Sequence, residues 1–172
     1  GYSYHGSAHV ITKSLSRGYL WNRVRLQGGA YGAFANFSAT SGVFKFASYR
    51  DPNLLETLKV YGEAAEFLRT LELDQSELTK AIVGMIGDMD GHKLPDAKGW
   101  SAFMRHMTGY TDTMRQQTRD EVLSTTTAHY NAFGEVLAQF NDVATTVILG
   151  SGDALTEANK VLTDKLAIQK VL

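Results

Sequence analysis

"RVRLQGGAYGAF", residues 23–34, decides how the rest of the chain is read. It closes an apolar helical stripe with Arg23 and Arg25, passes through Gly28 and Gly29, and opens a run of small and aromatic residues at Tyr31. Upstream, Ala8, Ile11, Leu15, Trp21 and Val24 recur at spacings of three to six, with Val10 and Leu20 widening the stripe. That pattern predicts one helix from about Gly6 to Leu26, packed on a broad face. Adjacent glycines stop such a helix because glycine enters the left-handed conformation that ends it. Downstream, "YGAFANF" and the alternating "VFKFASY" flank the turn residues "SATSG", the pattern of a β-hairpin.

Working outward, Asp51 and Pro52 suit a helix start, Asp51 as acceptor for backbone N–H groups and Pro52 at the first helical position. The helix that follows carries Leu55, Leu58, Ala65 and Leu68 to about Leu71. Asp74 and Glu77 make a capping box for the next, which carries Leu78, Ile82, Met85 and Met89. A short helix is expected from about Ala97 to Met107, with Trp100, Phe103, Met104 and Met107 on it. Thr118 and Glu121 read as a second capping box, followed by Val122, Thr126, Tyr130, Phe133, Leu137 and Phe140 in the longest helix. "DVATTVILG", residues 142–150, is β-branched and bounded by Asn141 and Gly150, which predicts a strand buried on both faces. Ser151 caps a helix to about Leu162, and "LAIQKVL" closes as a strand. The expected fold class is α+β, a mostly antiparallel sheet covered by helices.

At 172 residues the chain is long enough for one domain with a real core. A formal net charge of -1 with 20% charged residues leaves no positive excess to hold a phosphate backbone, so no nucleic acid partner is expected. No apolar run approaches the ~20 residues of a membrane span, so a soluble protein is expected. With 0 cysteines, thiolate zinc sites, disulfides and cysteine nucleophiles are excluded.

Most candidate chemistry has an ordinary structural reading. His5 and His9 stand four apart, but no glutamate lies between them and no third ligand is in sight, so no metal site is assigned. Both zinc-peptidase strings, HExxH and HxxEH, are absent. Asp88, Asp90 and His92 alternate like a cation loop without continuing the EF-hand ladder, and read as a helix end. "GSGD" lacks the phosphate-loop glycines and lysine and reads as a capped turn. Met85, Met89, Met104 and Met107 read as core filler. The opening stretch keeps two readings: Arg25 as a helix-end cation and Tyr31 as a strand aromatic, or both as donors at a pocket floor that Gly28, Gly29 and Gly32 strip of side chains.

The residues that tip this choice are "YLWNRVRLQGGAYGAF", "GVFKFASYRDPN" and "ETLKVYGEAAEFL", continued less sharply through "RQQTRDEVLSTTTAHY" and "VILGSGDALTEAN". Together they closely resemble the C-terminal domain of the presequence proteases, zinc peptidases of the pitrilysin or insulinase superfamily with falcilysin as a relative. The resemblance implies four homologous α+β domains in two bowl-shaped halves that enclose a chamber where unstructured peptides are cut. It implies that residues 1–172 are the fourth domain, without the strand and helix that open such a domain, and that the remaining domains of the same polypeptide are its partners. The zinc would lie on the first domain, whose inverted HxxEH this chain lacks, so the chain alone is expected to be inactive. By motif match, Arg25 and Tyr31 would hold the substrate backbone, with Gly28, Gly29 and Gly32 around them, and would help stabilise the oxyanion. The alternative is a peptide-binding or scaffold module akin to processing-peptidase and respiratory-complex core subunits, which have lost catalysis. Members work in organelles and in bacterial cells, so an organelle matrix or a bacterial cytoplasm fits equally.

Overall fold

The computed structural model describes residues 2–170. The chain opens with α1 (Ser7–Ser14), which runs directly into a π-helical segment (Leu15–Gln27). A hairpin follows, β1 (Gly32–Phe37) and β2 (Phe44–Tyr49), paired antiparallel with Gly32 opposite Tyr49 and Phe37 opposite Phe44. Six helices follow among the described residues: α2 (Leu54–Thr70), α3 (Gln75–Met89), α4 (Pro95–Thr108), α5 (Asp112–Leu123), α6 (Thr127–Asn141) and α7 (Gly152–Val161). The described residues are α-rich with one small two-stranded antiparallel sheet, consistent with an α+β class.

The π winding sets which residues of the first helix reach the core. Hydrogen bonds from i to i+5 lengthen the turn. The buried residues are accordingly Leu15, Tyr19, Leu20 and Val24, four or five apart. Trp21, expected on the buried stripe, is instead 43% exposed. The hairpin presents Ala33 and Ala35 to this helix while Phe44 and Phe46 pack toward Phe133, Phe140 and Tyr61. Ser16 Oγ accepts from the Ala35 N–H at 2.8 Å and lies 3.0 Å from the Ala35 carbonyl, so a helix hydroxyl does on that edge of β1 what a neighbouring strand would do. Behind the hairpin, α2 and α6 approach closely. A Cβ on Gly134 would stand 2.9 Å from the Ala65 carbonyl oxygen, and Asn131 Nδ2 donates to the Leu68 and Arg69 carbonyls at 3.0 and 2.9 Å.

Several local signals act as expected. The Asp74–Glu77 box is formed in both directions, and Ser151 Oγ accepts from the Ala154 N–H at 3.3 Å to cap α7. Asp51 accepts from the Asn53 N–H at 2.9 Å and from the Thr57 hydroxyl at 2.7 Å, although Asn53, not Pro52, leads into α2.

Other expectations are corrected. Thr118 caps nothing: it lies within α5 and its hydroxyl donates to the Met114 carbonyl at 3.0 Å. The long helix expected from it is two helices, because Ser124 ends α5 and Thr126 with His129 forms a competing capping box that starts α6. The strand expected over residues 142–150 is not formed. Val147 and Leu149 are 89% and 90% exposed, since no neighbouring strand among the described residues offers a ladder for their backbone. The closing strand is likewise absent over residues 166–170, while 171 and 172 lie outside the described residues. The sheet is therefore not the mostly antiparallel layer expected but one hairpin. Met85 and Met89 pack on the core, whereas Met104 and Met107 are exposed with the rest of α4.

Candidate functional site

The helix-to-hairpin turn is built by three glycines with three different tasks. Gly28 ends the π segment, where a Cβ would stand 2.6 Å from the Val24 carbonyl oxygen. Gly29 adopts φ +77, the left-handed C-cap conformation, and donates its N–H to the Arg25 carbonyl at 3.0 Å while the Ala30 N–H reaches the Val24 carbonyl at 3.2 Å. Gly32 is covered by its own strand neighbour: a Cβ there would meet the Phe34 ring at 2.7 Å. Asn53 Nδ2 donates to the Gly28 carbonyl and ties the turn to the start of α2.

This turn carries Arg25 on its helical side and Tyr31 at the foot of β1. The Tyr31 N–H is shared between the Tyr49 and Arg50 carbonyls at 3.1 and 3.3 Å, which anchors its backbone to the hairpin base. Its ring meets Tyr49 edge-on with centroids 6.0 Å apart, and 66% of the residue is exposed. The Arg50 guanidinium carbon stands 5.9 Å from the Tyr31 centroid and 5.4 Å from that of Tyr49. Arg50 itself holds φ 49, the one non-glycine residue in the left-handed region among those described. Such a backbone conformation costs on the order of 1–3 kcal/mol and persists only where its surroundings hold it. Arg25 is half-buried, with its guanidinium carbon 3.8 Å from the centre of the Trp21 ring.

The sequence singles out Arg25, Tyr31 and the glycines, and the structure adds Trp21, Tyr49 and Arg50 as their neighbours. Trp21 stands four residues before Arg25, the spacing that puts two side chains on one helix face, and Arg50 is brought to Tyr31 by hairpin register. The remaining candidates disperse. His5 stacks on His129 with centroids 4.7 Å apart, while His9 bonds to the Tyr4 hydroxyl at 2.9 Å. Burial holds His9 below the usual imidazole range, and burial, then the nearby His5, does the same for His129. Asp88 pairs with Lys13 at 2.5 Å and Asp90 with Arg119 at 2.7 Å, and these hydrogen bonds hold both carboxyl groups below their ordinary pKa. Among the described residues no group of three or more His, Cys, Asp or Glu is placed to hold a metal.

Comparison with known proteins shows the family of the chain. The family model for the PreP C-terminal domain matches residues 1–151. The chain belongs to that family. It is 45% identical over its whole length to presequence protease 1, chloroplastic/mitochondrial, of Arabidopsis thaliana, and covers 16% of that protein. It is also similar to protein HypA of Clostridium perfringens, at 32% identity over 91% of this chain and 16% of the relative. The mitochondrial presequence protease of Aspergillus oryzae is 36% identical over 71% of the chain and 12% of the relative. This PreP C-terminal domain thus spans about a sixth of the length of the relatives it matches most fully. No helix among the described residues is long and apolar enough to cross a membrane.

Proposed function

We propose that this chain is the fourth and last domain of a presequence protease-like metalloendopeptidase of the pitrilysin and insulinase superfamily, and that it works as part of the whole polypeptide. In this reading the domain has the superfamily's α+β fold. The exposed 143–149 segment becomes a strand once the rest of the sheet is present, and the other domains close over the helix-to-hairpin turn to form a chamber for unstructured peptides. The whole-length match to a presequence protease carries the proposal. The names of the plant and fungal relatives support an organelle matrix as the place of action.

The role assigned to Arg25 and Tyr31 follows from their chemistry. Hydrolysis of a peptide bond builds negative charge on the carbonyl oxygen, and donors already in place lower the cost of that charge without reorganising. A phenol offers one O–H, and a guanidinium offers five N–H groups in a fixed fork and no acceptor. The Gly29 cap sets the two residues on either side of one turn, with Tyr31 open to a partner. On the family resemblance the zinc is assigned to another domain, and this domain supplies binding and hydrogen-bond donation.

The test replaces Tyr31 by Phe in the full-length protein and measures turnover of an unstructured peptide. A fall in kcat of about 10²-fold with KM little changed is expected of a lost oxyanion donor. Unchanged kinetics would return Tyr31 to a packing role. No turnover by the full-length parent would favour the peptide-binding or scaffold reading instead.

A further inference from the structure

Two arginines of the same helix are restrained in different ways. Arg23 gives one guanidinium N–H to the Glu63 carboxylate at 2.7 Å, with its guanidinium carbon also 5.6 Å from the centre of the Tyr19 ring. Arg25, two residues on, makes no ion pair among the described residues and instead lies over the Trp21 ring, 3.8 Å from its centre. The two restraints have opposite consequences for a donor. A carboxylate partner fixes a guanidinium by occupying its N–H groups. An aromatic face fixes it through the ring quadrupole, contacts the flat side of the cation, and leaves the N–H groups at its rim available.

Trp21 is placed for this contact by the backbone. Its neighbours Leu20 and Val24 are buried, whereas Trp21 is 43% exposed and on the side of the helix that carries Arg25. Trp21 thus keeps part of its ring at the surface, beside a cation that has no ion-pair partner among the described residues. The Gly29 N–H bond to the Arg25 carbonyl fixes that residue's backbone, and Trp21 restrains the end of its side chain.

We propose that Trp21 is a positioning residue for Arg25, holding the guanidinium by its face so that its N–H groups stay available to the substrate backbone. This rests on the reading of Arg25 as a substrate-binding donor given above. Trp21 does not touch the reacting atoms, and its effect is transmitted wholly through Arg25.

The experiment is a double-mutant cycle in the full-length protein with an unstructured peptide as substrate. Arg25→Ala is expected to lower kcat/KM by about 10²-fold. Trp21→Leu is expected to lower it by about tenfold, chiefly in kcat. Trp21→Phe, which keeps an aromatic face, is expected to stay within about threefold of the parent. In an Arg25→Ala background Trp21→Leu adds no further loss, because its target is gone. An equal loss with and without Arg25, or an equal loss for Leu and Phe, overturns the positioning role while leaving the donor reading standing. Unchanged kinetics for Arg25→Ala overturn the donor reading itself, and the role of Trp21 with it. A second readout needs no turnover. The chain holds 2 tryptophans, so in the 172-residue chain with Trp100→Phe the emission reports Trp21 alone. Arg25→Ala is expected to change its intensity and its quenching by acrylamide, and identical spectra overturn the stack.

Discussion

Helices α4 and α6 carry nearly interchangeable apolar stripes and meet different fates. Tyr130, Phe133 and Leu137 of α6 are spaced by three and four residues and are all buried, against α2 and the hairpin. Trp100, Phe103, Met104 and Met107 of α4 have the same kind of spacing, yet no residue of α4 is buried and Trp100 and Met107 are 64% and 65% exposed. The difference lies in the partner and not in the stripe. Gly134 lets α6 come within backbone distance of Ala65 and Arg69, Asn131 seals the crossing with two hydrogen bonds, and Tyr130 reaches the Ser14 hydroxyl at 2.8 Å. Helix α4 has its own end signals, Pro95 in the first turn and Gly109 with φ 67 at its close, but no facing surface. An amphipathic pattern specifies that a helix forms; only a complementary surface makes its apolar face a source of stability.

The sharpest way to break that comparison is truncation at matched positions. Leu137→Ala in α6 is expected to destabilise the chain by ~2–5 kcal/mol through lost burial and a residual cavity. Met107→Ala in α4 is expected to change stability by no more than about 0.5 kcal/mol. Urea denaturation of both variants decides it, and similar losses would mean that α4 is packed in solution. A smaller effect concerns pH. His9 and His129 both sit below their ordinary pKa because burial disfavours the imidazolium, so near and below pH ~6.5 the unfolded chain binds protons that the folded chain does not. Stability is therefore complete above that pH and falls as the pH drops from it toward the folded-state values. The urea midpoint is expected to fall between pH 7.5 and pH 5.5, and His9→Gln is expected to flatten the fall; an unchanged slope would assign it elsewhere. The smallest effect belongs to the 143–149 segment. Val147→Lys is expected to leave the stability of this chain within about 0.5 kcal/mol, as for any residue without neighbours. In the full-length protein the same change is expected to cost measurably more if the segment joins a sheet there. Equal indifference in both would remove the strand from the proposal.

Expectation and structure part at places with a common cause. The hairpin, the Asp74–Glu77 box and the Ser151 cap are legible because each is made by residues adjacent in sequence. The strand expected over 142–150 failed because a strand is a relation to a neighbour, and β-branched composition does not supply one. The Thr118 box failed because Thr111 already caps the start of α5 seven residues earlier, and Thr126 with His129 starts the next helix. At the candidate site Arg25, Tyr31 and the glycine turn were readable, whereas the aromatic and cationic neighbours were not. Trp21 and Arg25 stand four apart, the spacing that puts two side chains on one helix face, but the apolar stripe assigns Trp21 to the core, and Arg50 reaches Tyr31 across the hairpin.

The sequence by itself determined where the chain turns and stops: Gly29 at the left-handed cap, the hairpin around residues 38–43, and the acidic and hydroxyl caps of α3 and α7. These depend on backbone sterics and hydrogen bonds closed within a few residues. Only the tertiary structure decided which apolar faces are covered, that Arg50 stands beside the Tyr31 ring, and that residues 143–149 stay unpaired. Burial and ladder pairing require a second surface, and where that surface stands is a property of the whole fold.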